Sequence, residues 1–285
     1  MVQWDTSPDG GVQTWIVGNW KMNGSLAQIS AFVPALLAGL PAGWEARGVR
    51  IALCPPTPYL ATMTQHLTGS HVELGAQKVH PLESGAFTGE VSPPMLADFS
   101  VSLCLVGHSE NRQLSGESEV FIAEKLHGLF ASGIRPILCV GETLEQRKAG
   151  QQEHVIQMQL TEAFSASSEV QAGRRAGDVA HLPHPTVSDT QAQRLIVAYE
   201  PVWAIGTGMT ASPEQANEMH AFIRRLLTER FGAATAAEIP ILYGGSVNPG
   251  NAGSLLSQRE INGALVGGAS LKAETFLPII QQSLS

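Results

Sequence analysis

Four polar residues sit immediately after apolar runs and together could move a proton beside a carbonyl group: Asn19, Lys21, His108 and Glu200. Glu200 ends the run Leu-Ile-Val-Ala-Tyr and precedes Pro201. The segment that follows, Pro201 to Gly208, is apolar between a proline start and a glycine end. Such a segment suits a lid that excludes water, and a carboxylate under an apolar lid is a stronger base than one in water. His108 follows Leu-Val-Gly and precedes Ser109-Glu110. A neutral imidazole there can polarise a carbonyl, and Lys21 supplies positive charge for a developing enediolate or a phosphate. Gly244-Gly245-Ser246 and Gly267-Gly268 follow the last two apolar runs. Glycine pairs leave backbone N–H groups open to an anion.

Each feature has an ordinary structural reading: a surface cap for Glu200, a packed core histidine, a solvated lysine, two tight turns. It is the combination that points to chemistry. A base, an imidazole, an ammonium and a phosphate cradle are the requirements for proton abstraction beside a carbonyl. No Gly-x-Ser-x-Gly elbow, nucleophilic Cys–His pair or metal-ligand cluster competes with that set. Neither a metal nor a cofactor is expected.

The elements that must position these groups show as eight short apolar runs: Thr14–Gly18, Val49–Leu53, Val72–Gly75, Val101–Val106, Pro136–Val140, Leu195–Ala198, Pro240–Tyr243 and Ala264–Val266. Most are continuous rather than alternating, as in parallel strands covered on both faces. Helical stripes lie between them. Ile29, Phe32, Val33, Leu36, Leu37 and Leu40 form one, in which Pro34 is expected to strain or restart the helix. Ile122, Leu126, Leu129 and Phe130 form another, and Met219, Phe222, Ile223, Leu226 and Leu227 a third. Ser212-Pro213-Glu214-Gln215 and Thr143 to Gln146 carry capping-box spacing. Eight strand–helix units predict an α/β fold, a single-domain (β/α)8 TIM barrel. A doubly wound open sheet shares the alternation. Its dinucleotide variant has a Gly-rich turn after the first strand, where this chain has Gly18-Asn19-Trp20-Lys21. In a barrel, the residues after the strands converge on one mouth.

Two stretches stand outside the rhythm: a short N-terminal extension (about 1–12) and a polar, small-residue segment at 165–193. The second is expected to be a surface insertion on the barrel's bottom face, and His181 and His184 within it are read as surface residues.

With a net charge of −8 and a pI near 5.6, the chain lacks the basic footprint of nucleic-acid binding. Cys54, Cys104 and Cys139 lie in or at the end of apolar runs, as buried free thiols of a reducing compartment do. No signal peptide or membrane span is visible, so the cytoplasm is expected.

The chain resembles triosephosphate isomerases through seven blocks in the family's order. These are Gly18 to Asn23, Ser84 to Glu90, Gly107 to Glu110, Cys139 to Glu142, Ala198 to Gly208, Tyr243 to Asn248 and Val266 to Ser270. The resemblance implies interconversion of dihydroxyacetone phosphate and D-glyceraldehyde 3-phosphate through an enediol(ate), in glycolysis and gluconeogenesis, without a cofactor. It makes Glu200 the proton shuttle and His108 a neutral electrophile, with Asn19 and Lys21 completing the oxyanion environment. Gly206, Ser246, Gly267 and Gly268 would bind phosphate, and Glu110 would stand behind Lys21. It also implies a homodimer in which the loop from Gln77 to Glu90 forms the interface and Thr88 reaches the partner's site. Three residues depart from the family pattern: Lys78 for Asn, Asn111 for Arg and Met209 for Lys. They bear on interface electrostatics and lid hinging. An isomerase of a four-carbon sugar phosphate, with the same chemistry in a wider pocket, is one alternative reading. A catalytically silent phosphate-binding scaffold is another.

Overall fold

The computed structural model describes residues 12–165, 185–205 and 210–284. Eight parallel strands close into a barrel in sequence order: β1 (Thr14–Asn19), β2 (Val49–Cys54), β3 (Glu73–Ala76), β4 (Leu103–Val106), β5 (Arg135–Val140), β6 (Ile196–Tyr199), β7 (Ile241–Tyr243) and β8 (Gly263–Val266). Closure is made by β8 on β1, with Trp15 opposite Gly263 and Gly18 opposite Val266. Closure decides against the open sheet. A barrel has no edge strand, so the short strands leave no unpaired ladder.

Strand periodicity sorts the apolar runs into two cores. Trp15 and Val17 of β1, Cys54 of β2, Leu103 and Leu105 of β4, Ile137 and Cys139 of β5 and their neighbours fill the barrel interior. Ile16, Ile51, Leu53, Leu138 and Val197 point outward into the layer shared with the helices. Both faces are dry, which is why the strands read as continuous apolar runs. On β3 the inward position is Gly75, where a β-carbon would collide with Cys54 and Leu103.

The helices follow the predicted stripes. Leu26–Gly39 runs unbroken through Pro34, whose exposed position keeps its ring on the solvent side. The expected restart is therefore absent: the helix is held by Ile29, Phe32, Val33 and Leu36, all buried. Reciprocal capping boxes start the helices Leu144–Lys148 and Pro213–Glu238, at Thr143 and Ser212. Six of the eight strands start one or two residues away from the apolar runs, and only Thr14 and Val49 coincide with them. Val72 and Val101 are buried but precede their strands, since Val101 N–H turns back to Leu96 O at 3.2 Å.

Within 165–193, the residues from 185 onward belong to the fold. Val187 is buried and donates its N–H to Phe164 O at 3.2 Å. A further capping box, Ser188 with Gln191, starts the helix Asp189–Ala192. His181, His184 and the N-terminal eleven residues lie outside the described residues.

Candidate active site

β1 ends in Asn19, and the chain then turns sharply. Lys21 has φ +51°, a left-handed backbone that side chains other than glycine rarely adopt. Asn19 Oδ1 accepts the Lys21 N–H at 3.0 Å. The ammonium of Lys21 reaches Glu110 Oε1 at 2.7 Å.

After β4, Gly107 (φ +68°) turns the chain so that His108 becomes the cap of the helix Ser109–Leu114. Its Nδ1 accepts the Glu110 N–H at 3.2 Å. A ring nitrogen that accepts carries no proton, so this contact holds a neutral imidazole with its hydrogen on Nε2. That Nε2 lies 3.0 Å from Glu200 Oε1. The other oxygen of Glu200 accepts the Ser109 N–H at 3.0 Å. The carboxylate is 2% exposed, and both its oxygens are held by donors from the β4 turn.

The glycine pairs divide their work. A β-carbon on Gly244 would stand 2.8 Å from Glu200 Cγ, so this glycine makes room for the carboxylate. A β-carbon on Gly267 would stand 3.7 Å from Lys21 Cε, which places the β8 turn against the lysine stem. The N–H and hydroxyl of Ser270 both turn onto Gly267 O, at 2.9 and 2.7 Å. Asn251 ties Ser246 O at 2.9 Å.

The structure thus gathers Asn19, Lys21, His108, Glu200, Ser246, Gly267 and Gly268 around one cavity of about 450 Å³ at the C-terminal mouth. Glu110 stands behind it, touching Lys21 and lying 3.8 Å from His108 Nδ1. Thr88 does not line it: this residue is exposed on the loop after β3. Gly206 and Met209 lie outside the described residues. Lys78 forms an ion pair with Glu90 at 3.1 Å, across the neck of that loop. Beside Asn111, Glu117 gives one oxygen to Lys125, and its Oε2 has no hydrogen-bond partner among the described residues.

One functional group escaped the sequence reading. Glu142, just past β5, is fully buried. Its Oε1 accepts from Tyr199 Oη at 3.1 Å, Trp203 Nε1 at 2.8 Å and Arg147 at 3.0 Å. The Arg147 guanidinium also lies over the Trp203 ring, 4.9 Å from its centroid. Burial, and then the Glu142 charge, push the Tyr199 hydroxyl up. This hub grips the residues on either side of Glu200. The usable signal was an acid placed directly after an apolar strand, the same signal that marked Glu200. All three thiols are free and buried, and burial pushes each up, Cys104 to about 12. They are not nucleophiles at neutral pH.

A closed parallel barrel with base, imidazole and ammonium converging on its C-terminal mouth defines a (β/α)8-barrel enzyme of the proton-transfer type. The family model described as triosephosphate isomerase matches residues 14–283. Curated proteins named triosephosphate isomerase align over nearly the whole chain. The one from Rhodopirellula baltica is 44% identical over 270 residues, covering 95% of this chain and 97% of the relative. That from Paracidovorax citrulli is 48% identical over 265 residues, 93% and 96% of the two chains. That from Carboxydothermus hydrogenoformans is 43% identical over 270 residues, 95% and 98%. The chain belongs to the triosephosphate isomerase family.

Proposed function

We propose that this protein interconverts dihydroxyacetone phosphate and D-glyceraldehyde 3-phosphate by proton transfer through an enediol(ate). The observation that carries the reading is the His108–Glu200 pair, 3.0 Å apart, on the mouth where Lys21 meets the β8 glycine turn. The substrate phosphate lies against Ser246, Gly267 and Gly268, with Gly206 completing its site. Its carbonyl then faces Lys21, Asn19 and the Nε2–H of His108. Glu200 takes a proton from one carbon and returns it to the next. To do so the carboxylate leaves Ser109 and His108, which frees the same Nε2–H to hold the developing oxyanion. A neutral donor and a nearby ammonium stabilise that charge where water is excluded. Glu110 orients Lys21.

The four-carbon and scaffold alternatives are not favoured, because the relatives above all carry the triosephosphate isomerase name. The chain acts as one barrel domain with a short extension at about 1–12 and an insertion in the 165–193 stretch, ahead of the residues from 185 onward that pack on the barrel. It works in the cytoplasm; no described helix is long and apolar enough to cross a membrane. It forms a homodimer, a reading supported by Met22 at 95% and Leu114 at 85% exposed. Such apolar side chains gain about 1.5–3 kcal/mol each when covered. Thr88 then reaches the partner's site.

The test is deuterium incorporation into dihydroxyacetone phosphate in D2O with pure protein, followed by NMR. Exchange together with appearance of the aldose phosphate supports the function, and a protein that produces neither overturns it.

A further inference from the structure

Lys21 is held in its left-handed conformation from both sides of its own backbone. On the N–H side the grip is Asn19 Oδ1, 3.0 Å away. On the carbonyl side it is Gln77, the residue after β3, whose Nε2 donates to Lys21 O at 3.0 Å. The same amide group donates to Cys54 O, the last carbonyl of β2, at 2.7 Å. Cys54 O in turn accepts the Trp20 N–H at 3.1 Å. One carboxamide therefore spends both hydrogens pinning the turn after β1 to the end of β2.

We infer that Gln77 is a positioning residue for the Lys21 ammonium. Lys21 and Ser100, at φ +58°, are the non-glycine residues with positive φ among those described. A lysine leaves that region unless its surroundings hold it there. Without the Gln77 donor, the Lys21 carbonyl loses its partner and the peptide rotates toward the ordinary negative φ. The Cα–Cβ bond turns with it, which carries the ammonium away from the Gly267 turn and from Glu110. Asn19 alone does not prevent this, because it fixes only the other end of the residue. A long amide is needed at 77: the reach from the end of β3 across β2 to the β1 turn requires a side chain with two donors on one nitrogen.

The inference rests on the reading above that Lys21 faces the substrate, and the experiment separates the two. Steady-state kcat and KM, with thermal unfolding, are measured for Q77M, K21A and the double variant. Q77M is expected to remain folded, to raise KM and to lower kcat/KM by about ten- to a hundredfold, the scale of misplacing a substrate-contacting group by an ångström. In the K21A background the same change is expected to cost less than twofold, because nothing remains to position. Wild-type kcat/KM in Q77M overturns the inference. So does a loss of equal size in both backgrounds, which would mark a structural role independent of Lys21. A K21A protein with full turnover overturns the role of Lys21 in catalysis, and this inference with it. Where Q77M does not fold, Q77L provides the same comparison.

Discussion

The Nε2 of His108 points at Glu200 Oε1 across 3.0 Å, while its Nδ1 is occupied by the N–H of Glu110 at 3.2 Å. One ring is therefore fixed at both nitrogens, and its tautomer is set by a backbone group two residues away. With Nδ1 accepting, the neutral ring keeps its one hydrogen on Nε2, where it can donate to an oxyanion. Replacing His108 with Gln retains an N–H donor but not the fixed geometry. We expect kcat to fall by about 10²–10³, the loss seen when one such donor is removed. KM should move far less, since the interaction strengthens only as charge develops. A His108→Gln protein with wild-type kcat would remove His108 from the reaction.

Glu200→Gln removes the base and preserves the shape. The amide can still meet the Ser109 N–H through its oxygen, so folding should be untouched. Turnover should fall by about 10²–10⁴, the usual contribution of a general base. Binding of an unreactive phosphate ligand, followed by calorimetry, should remain within a few-fold of wild type. Loss of ligand binding in step with turnover would mean that Glu200 builds the pocket instead of moving the proton.

Gly244→Ala separates the two jobs of the glycine turns. The new methyl would stand 2.8 Å from Glu200 Cγ and 3.2 Å from Tyr199 O. The carboxylate must shift, and with it the His108 contact. We expect kcat to drop at least tenfold with modest change in the affinity for inorganic phosphate, whose cradle includes the β8 turn. Equal losses in kcat and phosphate affinity would return Gly244 to a purely anion-binding role.

Much of this was legible in the sequence, for a physical reason. Parallel strands buried on both faces leave long apolar runs, and functional groups must follow such runs if they are to share a mouth. That rule places Asn19, Lys21, His108 and Glu200 after their strands, and all four line the one cavity. Strand edges were less legible: Val72 and Val101 are apolar and buried, yet they lie ahead of their strands, outside the ladder. Hydropathy reports burial and carries no record of hydrogen bonding. At Gly244 the sequence records only that a side chain is unwelcome, and not that Glu200 is what one would strike. Glu142 itself follows an apolar strand, but its partnership with Tyr199 and Trp203, 57 and 61 residues away, has no mark in the sequence. Gln77 escaped for the same reason, 56 residues from Lys21.

That hub yields a stability prediction. Glu142→Leu leaves the Arg147 guanidinium, the Trp203 indole N–H and the Tyr199 hydroxyl without their shared acceptor. The Arg147 charge left behind is 24% exposed, so the loss is about 1–3 kcal/mol, the cost of taking the partner from buried hydrogen-bonding groups. Urea unfolding should show the whole loss. Trp203→Phe, which removes a single donor, should cost only about 1 kcal/mol. A Glu142→Leu protein as stable as wild type would mean that the hub contributes nothing net to folding.

The acid limit of stability has a specific source. His220 is fully buried in the helix Pro213–Glu238, edge-on to Tyr199 and beside Tyr243. Its Nδ1 lies 3.2 Å from Glu260 O, a contact that places the ring's hydrogen on Nδ1. Burial lowers its pKa from 6.5 to about 3, with the nearby Arg224 acting in the same direction. Between those values the unfolded chain binds a proton that the folded protein refuses. The stabilisation is complete above about pH 6.5 and is lost as the pH falls toward 3, by up to about 1.4 kcal/mol per pH unit. His220→Asn keeps an amide N–H near the Glu260 carbonyl and removes the titration. Its urea-unfolding free energy should be lower than wild type at pH 7, because the smaller side chain leaves a cavity. Between pH 6 and 4 its decline should be shallower by one proton's worth of slope. If the two proteins lose stability in parallel over that range, the proton that destabilises the fold binds elsewhere.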